Sequence, residues 1–386
     1  MRLPPDAVRR TGAVLATLAA GSLGGLVFAG LGLPAPWISG ALIFTLILAL
    51  TGVRIAVPEI LRFLAFVVLG ASMGAVLTPQ MLAQAAAWPL SMACLALSIA
   101  ATMAGSILFL TRVAGWSLAT AFYAAAPGAF STVVAMAEET DADLRQVAFA
   151  QTVRLFLLVA VLPSALGAAG LAGTAFQPPA QSSPPLAVAL LLAVAMAGGL
   201  VAERIRLPGG LIIGALAASG ALHLSELSDA VLPPELLEPA FVILGAGIGV
   251  RFLGTTLGSI KEFFLVSLGA FLVAIAIAAV FAAIAMALTG TEFGMLLSAF
   301  APGGLEAMTA LGFALGYDPV FMSAHHLFRF TGLSVALPLL AYLLFGARIS
   351  GTGPAPAAAS CERKPRPAES QTARQGDRLP DRKVED

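Results

Sequence analysis

Apolar runs fill residues 12–33, 36–52, 60–77, 88–111, 114–137 and 145–171, and again 186–203, 209–223, 237–253, 262–289, 293–316 and 320–346. Most approach the roughly 20 residues that carry a helix across the hydrocarbon core. Their Gly and Pro residues would break helices in water. In a bilayer the backbone must satisfy its own hydrogen bonds, so helices persist. The pattern predicts an all-α polytopic membrane protein.

The two sets of runs also match in detail. Gly24-Gly25-Leu26-Val27 returns as Gly198-Gly199-Leu200-Val201, and Gly40-Ala41-Leu42 as Gly214-Ala215-Leu216, at an offset of 174. At 175, Leu69-Gly70-Ala71 and Gly74 match Leu244-Gly245-Ala246 and Gly249, Ala126-Pro127-Gly128 matches Ala301-Pro302-Gly303, and Arg154 matches Arg329. A constant register over this length predicts a tandem duplication. The expected organisation is an N-terminus (1–10), repeat 1 (11–172), a Pro/Ser/Gln linker (173–185), repeat 2 (186–348) and a charged tail (349–386). The tail cannot bury enough apolar surface to fold alone. Gly70-x-x-x-Gly74 and Gly245-x-x-x-Gly249 each place two glycines on one helix face, as close packing requires.

Composition agrees. Only 21 Lys+Arg and 21 Asp+Glu serve 386 residues, and 59% of the chain is hydrophobic. A water-soluble surface needs about a quarter of its residues charged. Net charge is zero with no basic stretch outside the tail, which excludes a nucleic-acid partner. Two cysteines and three histidines at unhelpful spacings give no disulfide framework, metal site or cofactor site, and nothing resembles a catalytic triad.

Where the basic residues fall predicts orientation. Arg9, Arg10, Arg54, Arg62 and Arg112 place the N-terminus and the second-to-third and fourth-to-fifth loops of the first half in the cytoplasm. In the second half the phase reverses, with Arg204, Arg206, Arg251 and Lys261 in the alternate loops. The two repeats are then inverted, which requires an odd number of crossings in each. The fifth run holds Pro127-Gly128 in one half and Pro302-Gly303-Gly304 in the other, where proline costs a helix about 3 kcal/mol and glycine about 1. It is expected to break or re-enter, leaving about five crossings per repeat and both termini cytoplasmic.

Inverted repeats with helices interrupted at matching places point to a secondary transporter whose site lies between the repeats. Pro127, Gly128 and Ser131, with Pro302, Gly303, Gly304 and Glu306, are the first candidates, because a broken helix exposes unpaired backbone groups. Arg154 and Arg329 sit about ten residues into the sixth runs, where a charge needs a partner. Each could neutralise a helix end, bind a substrate carboxylate or pair with carbonyls. His326 and Gln151 stand three residues before these arginines and share their helix faces; a histidine there makes proton coupling possible.

The Leu-Pro-Ala-Pro-Trp-Ile-Ser-Gly run at 33–40, its echo at 207–214, the Ala-Pro-Gly-Gly-Leu-Glu-Ala-Met run at 301–308 and His325-His326-Leu327-Phe328-Arg329 resemble the membrane AbrB duplication family. The likeness covers everything but the tail. It implies a bacterial inner-membrane protein of duplicated, multi-helix design, in a family labelled both as regulators and as ammonia monooxygenases. The first half departs from the motif, with Ala129-Phe130-Ser131 where Gly304-Leu305-Glu306 stands later.

The function expected from the residues is secondary transport of a small solute, an organic anion being preferred, by alternating access. A membrane-embedded regulator is the alternative, and a redox enzyme of the monooxygenase type ranks below it. The expected partners are the lipid bilayer and a small solute with proton or sodium coupling, and a homo-oligomer stays open.

Overall fold

The computed structural model describes residues 5–83, 85, 88–128, 130–173, 183–255 and 257–346. The 349–386 tail, most of the 173–185 linker and the first four residues lie outside this set. Among the described residues every regular element is helical. In order these are α1 (Pro5–Gly30), α2 (Pro36–Leu50), α3 (Glu59–Ala75), α4 (Pro79–Ala83), α5 (Trp88–Arg112), α6 (Leu118–Ala125), α7 (Phe130–Ala137), α8 (Leu144–Ala160) and α9 (Leu162–Ala168). They continue with α10 (Pro185–Arg204), α11 (Gly210–Leu224), α12 (Pro234–Gly249), α13 (Leu257–Thr289), α14 (Phe293–Phe300), α15 (Leu305–Ala314) and α16 (Pro319–Phe345).

Six helical stretches are long and apolar enough to cross a membrane: Arg10–Gly30, Trp88–Arg112, Leu144–Ala168, Pro185–Arg204, Lys261–Thr289 and Pro319–Phe345. The sequence led us to expect about ten crossings. The other four expected crossings fall on shorter helices. Helices α2 and α11 have 15 residues each, α12 has 16 and α3 has 17, or about 22–26 Å at 1.5 Å per residue.

These four short helices pack against one another, α2 on α12 and α3 on α11. Their glycines explain how. A Cβ on Gly70 would meet the carbonyl of Ile212, and one on Gly245 would meet the carbonyl of Ile38. Gly74 is likewise closed off by Leu216, and Gly249 by Thr45 and Leu42. Each glycine pair therefore receives a helix from the other half of the chain, backbone against backbone. Gly24 against Gly40 and Gly198 against Gly214 make the same kind of contact between consecutive helices.

The sixth run of the first half, expected to be continuous, divides between α8 and α9 at Val161. Pro163 is the reason, because it has no amide to offer the Val159 carbonyl one turn earlier. Ser39 of α2 supplies the missing donor, its Oγ bonding Val159 O at 2.7 Å. The corresponding Pro338 is accommodated inside the unbroken α16.

Candidate functional site

The fifth run is interrupted in both halves. Helix α6 ends at Ala125 with Ala126, Pro127 and Gly128 beyond it, and α14 ends at Phe300 with Ala301 to Gly304 beyond it. Proline is the local cause each time, since it withholds an amide from the carbonyl four residues back. For Pro127 that carbonyl is Tyr123 O, and Gln151 of α8 fills the gap with Nε2 at 2.9 Å.

Arg154, partly exposed, and Arg329, buried, close the C-terminal ends of the first half-helices. Arg154 donates from Nη1 to Ala124 O at 3.2 Å and Ala125 O at 3.4 Å, and from Nη2 to Ala126 O at 3.1 Å. Arg329 donates from Nη1 to Ala301 O and from Nη2 to Gly303 O at 2.7 Å. Ala126 and Ala301 are matching positions, so both halves use the same bond. A helix C-terminus carries about half a negative charge, so a guanidinium there is partnered although no carboxylate among the described residues pairs with it. Of the roles open to these arginines, the helix-end role is occupied. It uses only some of the five N–H groups each side chain has.

Around these breaks lies a cavity of about 670 Å³. Pro127, Gly128, Gln151, Arg154, Gly303, Gly304, Glu306, His326 and Arg329 all line it. Pro302 does not, and borders a small separate void with Arg154, Ala124 and Ala125. Ser131 belongs to α7, but its side chain lies outside the described residues.

Sequence reasoning missed several lining residues. Glu59 and Arg62 of α3, Arg251 after α12, Thr152 and Gly209 also face this cavity. Arg62 and Arg251 had served only as loop markers, and Gly209 only as part of an echoed motif. Gly209 is in the left-handed region at φ 63°, which lets the chain enter α11 tightly. The lining thus holds four arginines and two glutamates, a balance of +4 − 2 = +2. Glu59 and Arg62 form an ion pair at 3.2 Å. Arg251 feels attraction from Glu306 and repulsion from Arg62, and its guanidinium lies 5.8 Å from the Phe130 ring centre.

The two histidines differ. His325 donates from Nδ1 to Phe321 O at 2.9 Å, has Ser91 Oγ 2.7 Å from Nε2, and stacks on Phe321 with ring centres 3.9 Å apart. His326 is fully buried, and neither ring nitrogen has a hydrogen-bond partner among the described residues. A second cavity, of about 490 Å³, lies beside the first histidine between Trp88, Ser91, Glu292, Tyr317 and Asp318. There Tyr317 donates to Leu171 O at 2.7 Å, and burial pushes its hydroxyl up to about 12. Asp318 caps α16 by accepting from Val320 N at 2.8 Å and Phe321 N at 3.2 Å, while burial raises its carboxyl against those two bonds.

Among the described residues no group of three or more His, Cys, Asp and Glu side chains could hold a metal ion.

A bundle of long apolar helices around an arginine-lined cavity, with two broken helices at its centre, defines the class as a helical membrane protein. Residues 37–345 match the family model described as transition state regulatory protein AbrB, and the chain belongs to that AbrB family. It is 27% identical over 330 residues to the Escherichia coli (strain K12) protein named "Putative regulator AbrB", covering 81% of this chain and 91% of that protein. The relative's name is a regulator's and not an enzyme's.

Proposed function

We propose that this chain is a secondary transporter of a small solute, working by alternating access between two inverted repeats in the bacterial inner membrane, with both termini in the cytoplasm. The observation that carries the reading is that Arg62 and Arg251 line one cavity. Arg62 stands in the first turn of α3, beside the second-to-third loop of the first half, and Arg251 in the third-to-fourth connection of the second. Inverted repeats of five crossings put those loops on the same side of the membrane. Parallel repeats of six put them on opposite sides, about 30 Å apart. The bond from Tyr317 to Leu171 supports the same arrangement, since it joins the start of the linker to the turn before α16. Inversion places both of these outside.

The broken helices supply the site. The ends of the broken helices, with Arg154, Arg329, Gln151, His326 and Glu306, line the same cavity as Arg62 and the exposed Arg251, where we place its mouth. Rocking of one repeat against the other would close that mouth and open the side bearing Ser91, Tyr317 and Asp318. Proton or sodium gradients are the available driving forces.

The test is uptake into proteoliposomes of solutes first selected by thermal stabilisation of the purified protein, with and without an imposed proton or sodium gradient. A stabilising solute that also accumulates supports the reading; no flux of any stabilising solute refutes it. Labelling of a cysteine placed at 173–185 from outside intact cells tests the inversion separately. The relative's name favours a second reading, a membrane-embedded regulator. Deleting 349–386 separates them, because a regulator acting through that tail loses its effect and a transporter keeps its flux.

A further inference from the structure

We propose that the solute held in the central cavity is a small carboxylate anion, bound where Arg329 and the imidazole of His326 meet the first turn of α15. The inference rests on the transport reading for its purpose, but binding can be measured without transport.

A comparison of the two breaks carries it. In the first half Pro127 strips the Tyr123 carbonyl of its donor and Gln151 replaces it. In the second half Pro302 withholds an amide from Ser298 in the same way, and the residue matching Gln151 is His326. His326 does not take over the work of Gln151. Its ring is fully buried, lines the cavity and has neither nitrogen partnered. An unsatisfied buried polar atom is costly, and here there are two on one ring. A polar occupant that accepts from the ring N–H removes part of that cost.

The surroundings set the occupant's charge. Helix α15 starts at Leu305 with Gly304 as its cap and no side-chain cap bond. Its first amides therefore present the partial positive charge of a helix N-terminus. Leu305, Glu306 and Ala307 of that turn all line the cavity. Arg329 lies one turn beyond His326 on the same face, and Arg154 lines the same cavity. Glu59 is paired with Arg62, and among the described residues neither Arg154 nor Arg329 forms an ion pair. A carboxylate fits this arrangement because its two oxygens can accept from the guanidinium and from the imidazole N–H together. A cation would face four arginines, and a neutral solute would leave the positive excess unmatched.

The experiment measures binding to the full-length protein in detergent by calorimetry and thermal shift, using acetate, succinate, succinamide, inorganic phosphate and choline. Acetate or succinate is expected to bind and stabilise while succinamide and choline do neither. His326→Gln recreates the first-half arrangement, so it is expected to fold at least as stably as the parent and to bind carboxylate about 10- to 100-fold more weakly, the loss of one charge-assisted hydrogen bond. His326→Phe, which fills the space without nitrogens, is expected to weaken binding equally. Glu306→Gln removes the negative charge from the first turn of α15 and should tighten carboxylate binding. The proposal is overturned if succinamide or choline binds as well as succinate, if phosphate alone binds, or if both folded His326 variants bind carboxylate normally. Carboxylate binding without flux would refute transport and leave this site standing; flux of a neutral or cationic solute with no carboxylate binding would do the reverse.

Discussion

The crossing of α3 and α11 makes a quantitative demand on one glycine. A methyl group at Gly70 would lie 2.5 Å from Ile212 O and 2.6 Å from the Ala215 Cβ. Neither atom is the end of a flexible side chain, so the helices must separate. Ordinary contact starts at 3.4 Å, so the separation is 3.4 − 2.5 = 0.9 Å at that point. A gap of this size forfeits about a quarter to a half of the dispersion energy of the atoms it parts, and overpacking of this kind costs about 1–3 kcal/mol. Alanine returns up to about 1 kcal/mol of helix propensity. Gly70→Ala is therefore expected to destabilise the fold by about 1–2 kcal/mol. Gly247, in α12, has nothing within 4 Å of its Cβ position, so Gly247→Ala should keep only the propensity gain of up to about 1 kcal/mol. SDS titration of the two purified variants, followed by tryptophan fluorescence, should move the midpoints in opposite directions. If both move the same way, close backbone packing is not what these glycines provide.

Other perturbations follow from the same contacts. Arg329→Gln strips donors from two buried carbonyls and should cost about 2–4 kcal/mol, while Arg154→Gln should cost less because its bonds are longer and its side chain is partly exposed; midpoints in the same titration decide the order. Ser39→Ala should cost about 1–3 kcal/mol by orphaning Val159 O, yet cost almost nothing in a Pro163→Ala background, where the restored amide can reach that carbonyl; equal losses in both backgrounds would rule out this exchange. Burial holds the Asp318 carboxyl above its ordinary range, so the folded chain keeps a proton that the unfolded chain sheds. Stability from this group is then present at low pH and falls as pH rises from the ordinary carboxylate range through the raised value. Asp318→Asn should flatten that part of a stability–pH profile.

The breaks at Pro127 and Pro302 were legible because proline and glycine act on their own segment, and the pairing of His326 with Arg329 on one face because helix periodicity is local. What joins distant segments was not legible. Nothing in the surroundings of Pro163 announces that Ser39 would serve the carbonyl it frees, 120 residues away. Arg62 and Arg251 read as loop charges, since their shared cavity depends on how α3 and α12 are folded against the other half. The four other expected crossings fall on helices of 15–17 residues, and only packing reveals that they form the glycine-faced centre. Pro302, chosen for its likeness to Pro127, is absent from the cavity lining although Gly303 and Gly304 belong to it.

The reach of the two arginines has a consequence for how the chain is made. Every carbonyl that Arg154 and Arg329 bond lies 26–30 residues earlier in the sequence. During synthesis those carbonyls are already on hand when the guanidinium emerges. An arginine entering hydrocarbon by itself costs about 2.5–3.5 kcal/mol on the insertion scale. Here it can leave the insertion machinery already joined to its broken helix, so α6 to α8, and later α14 to α16, enter the bilayer as self-contained hairpins. The charge that marks the site does not have to await the other half of the protein before it can be buried.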